Sequence, residues 1–280
     1  MVCAGLLLDD VQHWKVFQEV SEFFIIVPPL LGLKGNLEMT LAARLSTAAN
    51  LGKLDKKSMA LSLIAGNLVL VQCQGIVIGF LAAASGIVLG WDQSAKFDVD
   101  QAVLICASAM VTASLASLIL GVLMVAVIVL TRKLSCNPDN VATPIAASLG
   151  DVTTLSLLAW TANFLYREML LGTNTAWITL SIYFLVLPLL MYLAFQNPHS
   201  SQVLVRGWTP ILLAMLISCG GGVILDKSVE HFKGIALFLP VMNGAGGNLV
   251  AIQVKCQYCS IKDLNNKHLL LLLLLNSKCF

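Results

Sequence analysis

The sequence predicts an all-α, polytopic membrane protein, and three observations carry that prediction. Hydrophobic residues make up 58% of the chain and charged residues 11%, with a mean hydropathy of +0.86, whereas soluble domains carry about a quarter charged residues. The stretches 59–91 and 101–130 contain no charged residue at all, and each exceeds the roughly 20 apolar residues that a helix needs to cross a bilayer. Finally, a segment rich in Pro, Gly and Asn, PPLLGLKGNLEMTLAARLSTAANLG at 28–52, interrupts an apolar region and returns in weaker form as PVMNGAGGNLVAIQV from Pro240. Shifted by 212 residues, Pro28, Gly32, Gly35, Asn36 and Leu37 fall on Pro240, Gly244, Gly247, Asn248 and Leu249.

Taken in order, MVCAGLLLDD at the start has no basic region before its short apolar run, so it is expected to be the clipped end of a membrane helix rather than a signal peptide. Spans are then predicted at 22–45, 59–91, 101–130, 141–166, 174–195, 209–225 and 234–254. Lys and Arg outside the spans set the orientation, because cytoplasmic loops carry the excess. Lys53, Lys56, Lys57, Arg132, Lys133, Arg206, Lys255, Lys262, Lys267 and Lys278 fall on one side, and Lys15, Lys96, Arg167, Lys227 and Lys233 on the other. The 52–58 loop is therefore expected in the cytoplasm. Asn36 and Asn248 then lie on spans running the same way, as in transporters built from parallel repeats. The uncharged span 174–195 returns the chain to its starting side between the copies.

The charge balance of +2, without a basic run, gives no footing for a nucleic-acid partner. Cys3, Cys73, Cys106 and Cys219 sit in apolar stretches as small hydrophobes, and Cys256 with Cys259 forms a lone CxxC without a second ligand pair. No permanently bound cofactor is expected.

Pro28, Gly32, Pro240 and Gly244 are read as helix-breaking, since each weakens a helix interior and the freed backbone groups need protein or water as partners. The alternative is close helix packing through the glycines. Lys34 and Glu38 are four apart and share a helix face; both are replaced in the second copy, by Gly246 and Val250. They are read as a structural ion pair, a gate-forming pair, or an ion-binding pair. Asp151 is the only charged residue between Asn140 and Tyr166, about ten residues and thus about 15 Å into its span, near the middle of a core about 30 Å thick. An intramembrane carboxylate marks an ion path unless it is paired or hydrogen-bonded within the bundle. Asp139, in Asn137-Pro138-Asp139-Asn140, is either a relay at the cytoplasmic mouth or a solvated helix start. Carboxylate, amide and carbonyl oxygens are hard ligands that select Mg²⁺, Ca²⁺ or Mn²⁺, and Mg²⁺ needs few direct protein ligands because it keeps its waters.

The segments LLGLKGNLEMTLAARLSTAANLG, NPDNVATPIAASLGD and NGAGGNLVAIQ resemble the hallmark segments of solute carrier family 41, the animal relatives of the bacterial MgtE magnesium transporters. The resemblance runs from about Gly5 to Val254. It implies a five-helix module present twice, moving Mg²⁺ and to some extent other divalent cations. It also implies that Asp151 is the pore aspartate holding hydrated Mg²⁺, with Asn36 and Gly35 on the pore-lining helix and Asn248 and Gly247 as their counterparts. The expected division is a first module at 1–170, a linker helix and loop at 171–208, an incomplete second module at 209–254 and a divergent tail at 255–280. The second copy stops before its own aspartate.

The expectation is a Mg²⁺ transporter. The alternative is a transport-incompetent form that binds full-length relatives or further copies of itself. The bilayer is the surrounding medium, and the plasma membrane is expected, with the mitochondrial inner membrane as the other candidate. An enzyme is not expected: an intramembrane aspartyl protease needs two aspartates, and no other span carries a central Asp beside Asp151.

Overall fold

The structure, a computed structural model, describes residues 2–90, 98–134, 138–198, 200–232, 234–235, 237–246 and 249. The described residues are helical, without strands. The elements are α1 (Val2–Val11), α2 (Lys15–Glu19), α3 (Glu22–Asn50), α4 (Lys57–Gly90), α5 (Val99–Lys133), α6 (Pro138–Leu170), α7 (Thr175–Gln196), α8 (Ser201–Arg206) and α9 (Trp208–His231). A shorter apolar helix, Leu237–Gly246, follows. Among the described residues, Lys57–Gly90, Val99–Arg132, Thr175–Gln196 and Ile211–Val229 are long and apolar enough to cross a membrane. The other two long helices, α3 and α6, carry Glu38 and Asp151.

Local chemistry sets the helix ends. The Asp98 side chain accepts a hydrogen bond from the Asp100 N–H at 2.9 Å and caps α5. Both α3 and α6 end on a glycine with positive φ, Gly52 at 72° and Gly172 at 74°. At the first, Lys53 N–H reaches the Ala48 carbonyl and Gly52 N–H reaches that of Ala49; at the second, Thr173 reaches Glu168 and Gly172 reaches Met169. These paired bonds satisfy carbonyls that the helices leave orphaned, and they need the left-handed residue that glycine supplies.

Small residues let the long helices approach closely, the usual currency of packing in lipid. A Cβ on Gly79 would lie 2.9 Å from the Ala109 carbonyl oxygen, and one on Gly75 would lie 2.8 Å from Ser117 Oγ, so α4 and α5 meet nearly backbone to backbone, antiparallel. Gln72 and Ser114 exchange two hydrogen bonds across the same seam, at 3.0 and 2.9 Å. Thr112 and Thr161 join α5 to α6 at 2.9 Å. One apolar cluster gathers α1, α2, the first half of α3 and the ends of α4 and α6; a second gathers the remainder of α3 with α9. Helix α7 lies at the edge of the bundle, packing Ala176 and Leu180 against the first cluster, with Ala194 its only buried residue. Phe184 meets Phe80 of α4 edge-on at 5.3 Å, and Trp177 Nε1 donates to Asp100 at 3.2 Å. Its exposed Ile178, Ile182, Leu185 and Leu189 suit a lipid-facing surface.

The expectation of a broken helix is corrected here. α3 is continuous from Glu22 to Asn50 with Pro28 and Pro29 inside it. Pro240 and Gly244 likewise lie within the helix Leu237–Gly246, the proline in its first turn, where a missing N–H costs little. The physical reason in α3 is a neighbour. Pro29 has no N–H to give the Ile25 carbonyl, and that carbonyl instead faces Gly222 of α9, whose missing Cβ admits it. Gly32 serves the same seam, since a Cβ there would lie 3.0 Å from Ser218 Oγ. A second contact mirrors the first. Gly5 of α1 packs on the carbonyl of Leu237, the residue that the 212-residue shift pairs with Ile25.

Candidate functional site

Helices α3 and α6 bring the polar residues together. Glu38 is 1% exposed and Asp151 8% exposed. Their helices meet closely at this level: a Cβ on Gly150 would lie 3.0 Å from Glu38 Oε2, so the missing side chain lets that carboxylate pack directly on α6. Asp151 is the next residue on α6, and its Oδ2 is buried without a hydrogen-bond partner. A buried carboxylate oxygen is costly to leave unsatisfied, so a structure that keeps one points to a missing counterpart. One turn along α6, Thr154 donates to the Gly150 carbonyl at 2.7 Å. Beside it lies a cavity of about 10 Å³ lined by Leu30, Leu37, Gly75, Ile78, Ala113, Ser117 and Thr154, room for about one water.

The other predicted residues are placed differently. Asn36 is half-buried, and two residues of a helix span about 200°, so it points to the opposite side of α3 from Glu38. Gly35 faces open space, with nothing within 4 Å of the position a Cβ would take. Asp139 lies in the first turn of α6, but its side chain and that of Lys34 are outside the described residues, as are Gly247 and Asn248. The Lys34–Glu38 pair therefore lies outside the described side chains. The apposition of Glu38 and Gly150 was missed by pattern reading. Residues 112 positions apart show no periodic relation, and the one available signal was a glycine directly before the intramembrane aspartate.

A second polar feature occupies the opposite end of α3. A cleft of about 700 Å³ opens between α1, α2, the start of α3 and the end of α9, with Asp9, Gln12, His13, Gln18, Ser21 and Asp226 in its lining. Tyr166 of α6 donates a short hydrogen bond to Glu19 nearby, tying α2 to the bundle.

A family model described as MgtE, divalent cation transporter, matches residues 27–161, the segment that contains both Glu38 and Asp151. The chain is 51% identical over 257 residues to "Solute carrier family 41 member 2" of Xenopus laevis, covering 90% of this chain and 45% of the relative. The corresponding protein of Homo sapiens is also 51% identical over 257 residues, with 90% and 44% covered. "Solute carrier family 41 member 3" of Rattus norvegicus is 49% identical over 258 residues, with 90% and 55% covered. The chain thus spans about half the length of the curated relatives it matches. No solved structure matches it.

Proposed function

Because the chain belongs to the MgtE-like solute carrier family 41, we propose that it serves divalent cation transport across a membrane, with Mg²⁺ as the cargo and Asp151 as the residue that holds it. The observation that carries the reading is the buried, partnerless Oδ2 of Asp151 on a long helix inside the segment matched by the transporter model. A single carboxylate oxygen left without a protein partner suits an ion that keeps most of its water and needs few direct protein ligands, which Mg²⁺ does. Burial then serves the transport step. A partly dehydrated divalent cation is held by charge, yet by so few ligands that it can leave.

The proposed division of the chain is a first module at 1–170, a linker at 171–208 and the start of a second module at 209–254. The contacts of Gly222 with Ile25 and of Gly5 with Leu237 support it, because Gly222-Val-Ile-Leu-Asp226 repeats Gly5-Leu-Leu-Leu-Asp9 and two copies related by a two-fold axis must meet through equivalent residues. The plasma membrane is the proposed location; surface labelling of intact cells tests it, and a purely intracellular pool refutes it.

Mg²⁺ uptake into liposomes holding the purified chain tests the function. Wild type is expected to raise internal Mg²⁺ above protein-free vesicles, and Asp151→Asn to abolish the difference. Equal uptake by both proteins refutes the role of Asp151. Uptake at the protein-free level by wild type favours the other reading, a chain that acts by docking to relatives through the exposed face of α9, where Leu213, Leu216, Ile217 and Ile224 lie uncovered.

A further inference from the structure

We propose that α2 is a strap at the mouth of the cleft between α1, α3 and α9, and that the hydrogen bond from Tyr166 to Glu19 is the catch that holds it back against α6 and keeps the mouth open. Sequence and structure single α2 out independently. Asp9 and Ile25 are 16 positions apart, whereas their counterparts Asp226 and Leu237 are 11 apart. The first copy therefore carries five more residues between the two equivalent contacts, and α2, Lys15–Glu19, is a helix of five residues lying in that interval. In the second copy α9 instead runs on to His231 and the chain turns at Gly234, with φ 81°. The strap is an addition to one copy alone.

Its tethers set how it can move. One helical turn has no stability of its own, since isolated helices shorter than about 12 residues are marginal, and no side chain caps the start of α2 at Trp14. Val16 and Phe17 are buried, and Phe17 packs on Phe23 and Phe24 with ring centroids 5.3 and 5.7 Å away. That anchor fixes the middle of the strap and leaves its far end to the hydrogen bond. Glu19 is exposed and bonded to Tyr166 of α6, while Gln18, about 100° round the helix, lines the cleft. Helix α2 thus stands between α6 and the cleft, and the catch draws it away from α9. Once released, Gln18 can swing toward Asp226 and Val229 on the far wall. Asp9 and Asp226, equivalent in the two copies, both line the cleft, so the axis relating the copies passes between them. That position makes the cleft the way in for a cation shared by the copies, a step that rests on the function proposed above.

Amide hydrogen exchange in the purified 280-residue chain, read by mass spectrometry, tests the catch. Tyr166→Phe and Glu19→Ala should each speed exchange at Gln18 and Val20, whose amides are bonded to the Trp14 and Val16 carbonyls. The gain is expected at about 10-fold or more, because hydrogen bonds to charged groups shift such equilibria by about 10–100-fold. The double variant should exchange no faster than either single one, as two halves of one bond require. In liposomes both single variants should raise the Mg²⁺ concentration for half-maximal uptake several-fold and keep the maximal rate near wild type, since entry is narrowed and Asp151 is untouched. Wild-type exchange in α2 of both variants overturns the catch. Faster exchange with an unchanged half-maximal concentration overturns its part in cation entry and leaves the proposed function standing. A wild-type chain that takes up no Mg²⁺ overturns that function and the entry role with it, while the exchange result still decides the catch. Thermal unfolding separates the catch from folding; should Tyr166→Phe fail to fold, Glu19→Ala, a change at an exposed residue, decides alone.

Discussion

Gly221 and Gly222 are adjacent on α9, and the structure assigns them opposite responses to the same substitution. A Cβ at Gly221 meets nothing within 4 Å, whereas one at Gly222 runs into the backbone of Ile25, which has no flexible end to swing aside. Gly→Ala in a helix interior gains about 1 kcal/mol from propensity alone. Gly221→Ala should keep that gain. For Gly222→Ala the overlap forces α9 away from α3, and overpacking of this kind costs about 1–3 kcal/mol. Set against the propensity gain, the net expectation is destabilisation by about 1 kcal/mol. For a chain of this length 1 kcal/mol corresponds to about 2 °C in Tm, so Gly222→Ala should melt about 2 °C below wild type and Gly221→Ala about 2 °C above it. Thermal unfolding of the three proteins in one detergent reads this directly. A Gly222→Ala protein that melts at or above wild type refutes the α3–α9 seam.

Other outcomes follow from the same geometry. Asp98→Ala removes the α5 cap and should cost about 1 kcal/mol, seen as a lower melting temperature. Arg132→Ala breaks the exposed bridge to Asp55 at 2.6 Å and should change stability by less than about 1 kcal/mol, with salt titration abolishing any difference. Gln72→Ala strands Ser114 on the α4–α5 seam, and since interhelical hydrogen bonds in membranes average about 0.6 kcal/mol, a shift of about 1 °C is expected.

Much of the fold was legible because lipid imposes simple rules. The uncharged runs at 59–91 and 101–130 became α4 and α5 within a few residues, since a helix that must satisfy its own backbone needs only length and apolarity. The interruption of 22–45 by Pro28, Pro29 and Gly32 was legible as an anomaly but not as a continuous helix. The compensation comes from Gly222, almost 200 residues away, and no local pattern encodes that distance. Asp151 could be singled out because one charge in an apolar span stands out alone. Its neighbour Glu38 could not be assigned to it, because pairing along one helix follows a spacing rule while pairing between helices depends on which faces the tertiary structure turns together.

The seam between Ile25 and Gly222 also bears on how the chain is made. At about 5–20 residues per second, translation separates these two positions by about 10–40 s. For that interval α3 sits in or beside the insertion machinery with two carbonyls that its prolines have deprived of donors. The N-terminal helices thus cannot reach their final packing as they emerge, because the surface of α3 that receives Gly222 stays uncovered until α9 arrives. A ribosome stall placed between α7 and α9 would hold the protein in that waiting state.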